Sequence, residues 1–190
     1  MPSVEALFEA GRTHNVWLDR DVPDALLVEL YDRLRWAPTS ANSNPGRFAF
    51  VRSPAAKARL KPHLSPTNLE KTMAAPVCAI VAADSLFYEN MPQLFPSRDL
   101  RTTFAGAAAL AEDTANRNAI LQGGYLILAA RSLGLDCGPM SGFDRAGVDA
   151  AFFPDGRWKA NFLVNLGYGD DEKLWPRNPR LSFDEACEIL

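Results

Sequence analysis

Val77-Cys78-Ala79-Ile80-Val81-Ala82 is the stretch that decides the fold. It is a short, continuous apolar run bounded by Pro76 and by Asp84, a pattern typical of a strand with both faces buried. Two further strands are predicted on either side of it. One is the apolar run Phe48–Val51, and the other spans residues 161–168. The sequence therefore predicts a small sheet with the 77–82 strand inside it.

Helical segments surround these strands. An amphipathic helix is predicted to start at Asp21, just before Pro23, and to end before Pro38. Ser-Pro pairs at residues 53–54 and 65–66 each place a cap residue before a proline, which predicts two short helices between the first two strands. The apolar positions of the first helix recur at three- and four-residue spacing: Ala25, Leu26, Leu30, Leu34 and Ala37.

A longer helix is predicted over residues 114–133, ending at Gly134. It is apolar around most of its circumference, so it should lie at the centre of the domain or in the seam of a dimer. Three or four strands among five to seven helices, without regular alternation, indicate an α+β layered fold in a single domain, residues 1–190. Neither a Rossmann fingerprint nor a P-loop motif is present in the sequence.

Composition excludes several classes of function. The 190 residues carry a net charge of -3 from 20 basic and 23 acidic residues, with no basic stripe for nucleic acid. Three separated cysteines without a C-x-x-C pair favour a reducing compartment, so a cytoplasmic protein is expected. The two histidines have no zinc-type spacing, and no apolar stretch is long enough to span a membrane. We therefore expect neither a metal site nor a membrane anchor.

The loop Ala37-Pro38-Thr39-Ser40-Ala41-Asn42-Ser43-Asn44-Pro45 has the composition of a ligand-facing segment. Its two prolines stiffen the backbone, and its hydroxyl and amide groups offer donors and acceptors along its length. Such an edge suits a flat heteroaromatic ring. The alternative is an ordinary loop whose Ser and Asn side chains cap their own backbone.

Four more polar segments are candidate binding motifs, and three of them have a plain alternative. Residues 12–15, Arg-Thr-His-Asn, could grip a phosphate or form a solvated helix end. Asn68 and Lys71 share one helix face. Residues 137–144 could approach a ligand closely through Gly-Pro backbone or form a tight turn before a new helix. The arginines of residues 177–180 could bind phosphate or be surface charges.

Taken together and in this order, these five segments resemble the FMN-dependent nitroreductase family over almost the whole chain. The resemblance implies a layered α/β/α domain with a small, mainly antiparallel sheet and a long central helix. It also implies a homodimer with FMN at the subunit interface. The cofactor-binding residues that it implies are Arg12, His14 and Arg177 at the FMN phosphate; Pro38, Thr39, Ser40 and Asn42 from the other subunit; Asn68 and Lys71 at the pyrimidine edge; and Pro139, Met140, Ser141 and Gly142 beside the ring.

Four longer strings resemble one branch of that family, the malonic semialdehyde reductases of pyrimidine (uracil) degradation. These strings are residues 36–42, 138–145, 165–170 and 180–186. This resemblance implies ping-pong hydride transfer from NADPH or NADH through FMN, reducing malonic semialdehyde to 3-hydroxypropionate. The flavin would carry the hydride, so no catalytic side chain is required.

Substrate recognition calls for side chains beyond those that bind the cofactor. A small aldehyde with a carboxylate needs a cation near it, and the candidates are Arg98 and Arg101, in a segment that could form a flap, or Arg117. The chain also departs from the family at Val16, where members often have lysine, and at Ser141, where they often have glutamate. A broad NAD(P)H nitroreductase or quinone reductase is the alternative enzyme, and a flavin-free binding subunit is the alternative outside enzymes.

Overall fold

A four-stranded antiparallel sheet organises the chain in the computed structural model, which describes residues 4–190 apart from the side chain of Ala6. The order across the sheet is β1-β2-β4-β3. All eight residues of β2 are buried, as its apolar run predicts. The strands are β1 (Gly46–Val51), β2 (Val77–Asp84), β3 (Asp136–Met140) and β4 (Trp158–Gly167).

Helices cover the sheet and extend from it. The two short helices predicted from Ser-Pro pairs are present as α3 and α4, so those predictions are confirmed. The α-helices of the described residues are α1 (Val4–Leu7), α2 (Asp24–Leu34), α3 (Pro54–Leu60), α4 (Pro66–Ala74), α5 (Met91–Leu94), α6 (Leu100–Ala105), α7 (Ala108–Ser132), α8 (Arg145–Phe152) and α9 (Phe183–Ala186).

The segment from Cys137 to Met140 lies in β3, so the alternative of a tight turn before a helix is wrong for these residues. Gly138 and Pro139 conceal this strand, since both residues are unusual inside a sheet. The strand lies at the sheet edge beside β4, a position where proline is tolerated, and a single bridge joins its Cys137 to Thr13 of the N-terminal loop. The prediction that Asp144 precedes a new helix is confirmed, because it is the N-cap residue of α8.

Helix α2 begins later than predicted and buries a slightly different face. Its N-cap residue is Pro23, and its buried residues are Leu27, Leu30 and Leu34, whereas Ala25 is exposed. The segment expected to be a flap is largely helical, because residues 100–105 form α6 and α7 starts at residue 108.

Helix α7 has 25 residues and packs against the sheet and α2. Small side chains, including Ala115, Ala119 and Ala130, form its buried face. Ile120, Leu121 and Tyr125 are apolar yet exposed. One chain alone therefore covers only part of the apolar circumference of this helix.

Composition also led to expectations about the cysteines, about a metal site and about a membrane anchor, and the structure bears on each of them. Burial raises the pKa of Cys78 and of Cys137 to about 12, whereas Cys187 is exposed. Over residues 4–190 no group of three or more His, Cys, Asp or Glu side chains could hold a metal ion. None of the helices in that range has the length and apolar character needed to cross a membrane.

Candidate functional site

Five basic side chains line one cavity of about 310 Å³, here called the cationic cavity. None of the described residues in its lining is acidic. Clustered cations without a counter-charge repel one another, and a multiply charged anion would relieve that repulsion. The cavity therefore has the character of a site for a phosphate-type group. Its basic residues are Arg12, Lys71, Arg131, Arg177 and Arg180.

The two ends of the chain meet at this cavity. The guanidinium of Arg12 donates a hydrogen bond to the carbonyl oxygen of Trp175. In return, Nη2 of Arg177 donates to the carbonyl oxygens of Glu9, at 2.6 Å, and Gly11, at 3.2 Å. A guanidinium has five N–H donors, so both arginines keep donors for a ligand after making these contacts. The contacts hold residues 174–190, here called the C-terminal arm, against the N-terminal loop.

Lys71 and Arg131 complete the cationic cavity from two helices. Lys71 lies on α4 and is half-buried, and this desolvation lowers the pKa of its ammonium group. Trp17 fixes the backbone there, because its Nε1 donates to the Lys71 carbonyl at 3.0 Å. Arg131 lies in the last turn of α7 and donates to the carbonyl of Leu7 at 3.0 Å. A bound anion would favour the charged form of Lys71 and offset its desolvation.

A buried polar row on α4 faces the segment that follows β3. Nδ2 of Asn68 donates to the carbonyl of Gly142 at 2.8 Å, and the Thr72 hydroxyl lies 3.4 Å from Sδ of Met140. Asn165 on β4 donates to the Thr72 hydroxyl at 3.1 Å, while its buried Oδ1 has no hydrogen-bond partner among the described residues. The structure therefore brings Asn68, Met140 and Gly142 together.

The loop between α2 and β1 has a strained backbone. Ala41, Asn42 and Asn44 have φ values of 49°, 52° and 41°, in the left-handed region that non-glycine residues seldom occupy. Asn118 on α7 holds one end, because its Oδ1 accepts from the backbone N–H of Ser40 at 2.7 Å. Strain of this kind persists only where the surroundings fix it, and it is concentrated at functional sites. The predicted residues Pro38, Thr39, Ser40 and Asn42 all lie in this loop, and none of them lines the cationic cavity of its own chain.

Gln122, one turn after Asn118 on α7, holds the other end of the loop. Its Oε1 accepts from the backbone N–H of Gly46 at 2.7 Å, and both groups are buried. A Cβ at position 46 would lie 2.6 Å from this oxygen, so a larger residue there would displace the Gln122 side chain from its present position.

Replacing Gln122 with methionine should lower the free energy of unfolding by about 1–3 kcal/mol, because it leaves the buried N–H of Gly46 without an acceptor. Thermal or urea unfolding measures the change. Gln93→Met is the matched control, since Gln93 is exposed and its replacement should stay within about 0.5 kcal/mol of wild type. Equal stability of the two variants would show that Gln122 does not hold the loop.

The remaining predicted residues lie outside the cationic cavity. His14 is 2% exposed, and its Nε2 lies 3.0 Å from Oδ1 of Asp171. Pro139 is opposite Val164 in the sheet, and Ser141 is exposed. Of the candidates for the substrate carboxylate, Arg98 and Arg101 line a separate cavity of about 280 Å³, and Arg117 pairs with Asp113 at 2.8 Å on α7.

Several residues of this site were absent from the sequence prediction. Arg180 belongs to a segment singled out for its arginines, although only Arg177 was assigned to the site. Arg131 gave no signal, because a basic residue in the last turn of a helix is common. The roles of Asn118 and Gln122 depend on contacts with a distant loop, so spacing within α7 could not reveal them.

Known proteins resemble this chain in sequence and in fold. Two relatives carry the name "Putative NADH dehydrogenase/NAD(P)H nitroreductase". The one from Rhodopseudomonas palustris is 60% identical, over 100% of this chain and 96% of its own length. The one from Ralstonia nicotianae is 58% identical, over 100% and 97%.

Solved structures agree with the described fold. A nitroreductase family protein from Streptococcus pneumoniae superposes with a TM-score of 0.87 at 23% identity, over 99% of this chain and 100% of that one. A protein from Exiguobacterium sibiricum, crystallised in complex with FMN, gives 0.86 at 18% identity, over 100% and 98%. The profile of the nitroreductase family matches residues 12–168. This chain belongs to the nitroreductase family.

Proposed function

We propose that this protein is an FMN-dependent NAD(P)H oxidoreductase. The cationic cavity is the observation that carries the proposal, because five basic side chains converge there with no acidic residue in the described lining. The names of the close relatives and the FMN complex of the structural neighbour support the same reaction class. FMN, when bound, takes a hydride from a reduced nicotinamide and passes it to an acceptor.

The residues of the cationic cavity fit the phosphate end of FMN. Arg12 and Arg177 present planar donor forks that match phosphate oxygens, and Arg180 adds a third guanidinium. Lys71 supplies a point charge from α4, one turn away from Asn68. The positive potential of Lys71 would also favour negative charge elsewhere on the cofactor. Asn68, Met140 and Gly142, which the structure brings together, would form the neighbouring wall for the ring.

We further infer that the acceptor is malonic semialdehyde, which the enzyme reduces to 3-hydroxypropionate. Four strings along the chain support this, since they resemble the malonic semialdehyde reductases of pyrimidine degradation. A broad-specificity nitroreductase or quinone reductase is the second candidate, and the names of the relatives favour it. The three free thiols favour a cytoplasmic enzyme.

A two-fold homodimer is the assembly we propose. The exposed apolar residues Ile120, Leu121 and Tyr125 on α7 give it a surface to bury. The strained loop on the same side of α7 as Asn118 and Gln122 would then reach the FMN of the partner subunit.

One experiment tests the activity and separates the two acceptors. The purified protein is saturated with FMN, reduced anaerobically with NADPH or NADH, and mixed with malonic semialdehyde or with a nitroarene while flavin absorbance is followed. We expect FMN to bind, to be bleached by the nicotinamide and to be reoxidised faster by the semialdehyde. Faster reoxidation by the nitroarene would favour the second candidate. Failure to bind FMN would refute the proposal and favour a flavin-free subunit.

A further inference from the structure

A hydrogen bond between His14 and Asp171 joins the N-terminal loop to the chain just before the C-terminal arm. Nε2 of His14 lies 3.0 Å from Oδ1 of Asp171. Because a carboxylate can only accept, Nε2 carries the proton and donates it. The two partners differ in environment, since the His14 side chain is 3% exposed and the Asp171 side chain is 85% exposed.

The imidazole of His14 is held away from the cationic cavity. A Cβ at position 169 would lie 2.0 Å from Cδ2 of the ring, so the ring occupies space that only a glycine leaves free. Asp136 closes the other side, because its Oδ1 lies 3.5 Å from Nδ1 while its Oδ2 accepts from the backbone N–H of Gly169 at 2.8 Å. The neighbours Thr13 and Asn15 line the cationic cavity, but His14 does not.

The C-terminal arm has few other attachments. Every residue from 175 to 190 is exposed. The arm is held through the contact of Arg12 with the Trp175 carbonyl and through those of Arg177 with the carbonyls of Glu9 and Gly11. Because these contacts are all near the start of the arm, the position of its first residues determines where Arg177 and Arg180 lie.

We propose that His14 and Asp171 are positioning residues for the cofactor phosphate. Their hydrogen bond fixes the start of the C-terminal arm, so that Arg177 and Arg180 stay in the cationic cavity with Arg12. The inference rests on the proposed function, because it takes the phosphate of FMN as the ligand of that cavity. It replaces the direct phosphate contact that the family resemblance implies for His14 with an indirect role.

An electrostatic role and a positioning role of Asp171 predict opposite changes in FMN affinity when this residue is replaced. Removing one negative charge from the protein should tighten the binding of an anion if only electrostatics matter. Removing the acceptor of a positioning hydrogen bond should weaken it instead. We expect Asp171→Ala to weaken FMN binding about 5- to 10-fold, the size of effect given by loss of one ordinary hydrogen bond, because the acceptor is largely exposed.

Two variants serve as controls. Asp171→Asn keeps an oxygen that can accept from His14, so it should bind FMN within about threefold of wild type. Glu172→Ala removes a neighbouring exposed carboxylate that is outside the contact, and its FMN affinity should be unchanged or slightly higher. His14→Gln and His14→Leu form a second pair, of which only the glutamine can donate to Asp171.

FMN dissociation constants are measured by fluorescence titration of the flavin-free protein. A second readout needs no flavin: trypsin cleaves after Lys173 and Arg177, which flank the contacts of the arm, and intact mass reports how fast the peptides that follow these residues are released. Thermal unfolding checks that Asp171→Ala remains as stable as Glu172→Ala. We expect Asp171→Ala to show weaker FMN binding and faster release, with Asp171→Asn restoring both.

Other outcomes would overturn the positioning role of His14 and Asp171 or the proposed function. Equal release rates for all variants would overturn the positioning role whatever the flavin result. Faster release with unchanged FMN affinity would overturn it as well, because the arm would then have no influence on the cationic cavity. If wild-type protein bound no FMN, the proposed function would fail, and faster release from Asp171→Ala would still support the attachment of the arm.

Discussion

Replacing Arg12 with alanine is expected to weaken FMN binding about 10- to 100-fold, because one charge-assisted contact to a phosphate is lost. Arg12 lies where both ends of the chain meet, and it also donates to the Trp175 carbonyl. The variant therefore loses a ligand contact and an attachment of the C-terminal arm at once. Titration of the flavin-free protein with FMN, followed by flavin fluorescence, measures the change.

Riboflavin is the decisive control for this prediction, since it has the same ring and ribityl chain without the phosphate. Its affinity should change little in Arg12→Ala. Arg12→Lys should give an intermediate FMN affinity, because lysine keeps the charge but not the planar donor fork. Lys61→Ala, which removes an exposed cation outside the cationic cavity, should bind FMN like wild type. Equal losses for FMN and riboflavin would place the phosphate elsewhere.

Three of the four strands could be predicted from the sequence, because each of them contains a continuous apolar run. The three predicted runs fall in β1, β2 and β4, apart from Tyr168, which follows β4. Burial on both faces explains the continuous apolar run of β2, whereas the middle of β1 is only half-buried. The fourth strand could not be predicted, since Gly138 and Pro139 point to a turn and only its place at the sheet edge tolerates them.

The family resemblance predicts some residues of the cationic cavity and misses others. Arg12 and Arg177 were assigned to one phosphate because their motifs resemble those of the family, and the structure does bring them into one cavity. Arg131 joins them from the end of α7, where no local pattern distinguishes it from a helix-terminal charge.

The orientation of His14 could not be predicted from its neighbours in sequence. Arg12, Thr13 and Asn15 line the cationic cavity, whereas His14 turns inward between Asp136 and Asp171. Both partners come from distant segments, and the space for the ring depends on a glycine in a third position. Side-chain direction in an irregular loop is thus set by tertiary contacts rather than by the loop's own residues.

Replacing Asp84 with alanine is expected to lower the free energy of unfolding by about 3 kcal/mol, the cost of breaking a buried ion pair. The Asp84 side chain is 1% exposed at the end of β2. Arg47 from β1 donates to its Oδ2 at 2.7 Å, and Arg157, next to β4, donates to Oδ1 at 2.9 Å and to Oδ2 at 3.1 Å. One carboxylate therefore joins three neighbouring strands, and its loss leaves the guanidinium of Arg47 without its carboxylate partner and that of Arg157 with Glu89 alone.

Thermal unfolding measures this change, which corresponds to a fall in Tm of about 6–12 °C for a chain of this length. Glu89→Ala is the matched control, because Glu89 also pairs with Arg157, at 2.9 Å, but at the surface. Surface ion pairs contribute about 0–1 kcal/mol, so the control should unfold within about 4 °C of wild type. Similar falls in both variants would mean that burial of Asp84 adds nothing to the pair.

Asp84→Ala should also destabilise the strained loop beside α7. Arg47 donates to the carbonyls of Asn44, at 3.0 Å, and Gly46, at 2.9 Å, so Asp84 orients the side chain that holds the end of that loop. Asn44 has a left-handed backbone that depends on such contacts to persist. Amide hydrogen exchange over residues 38–46 should therefore be faster in Asp84→Ala than in Glu89→Ala, because only the first variant removes the carboxylate that anchors Arg47.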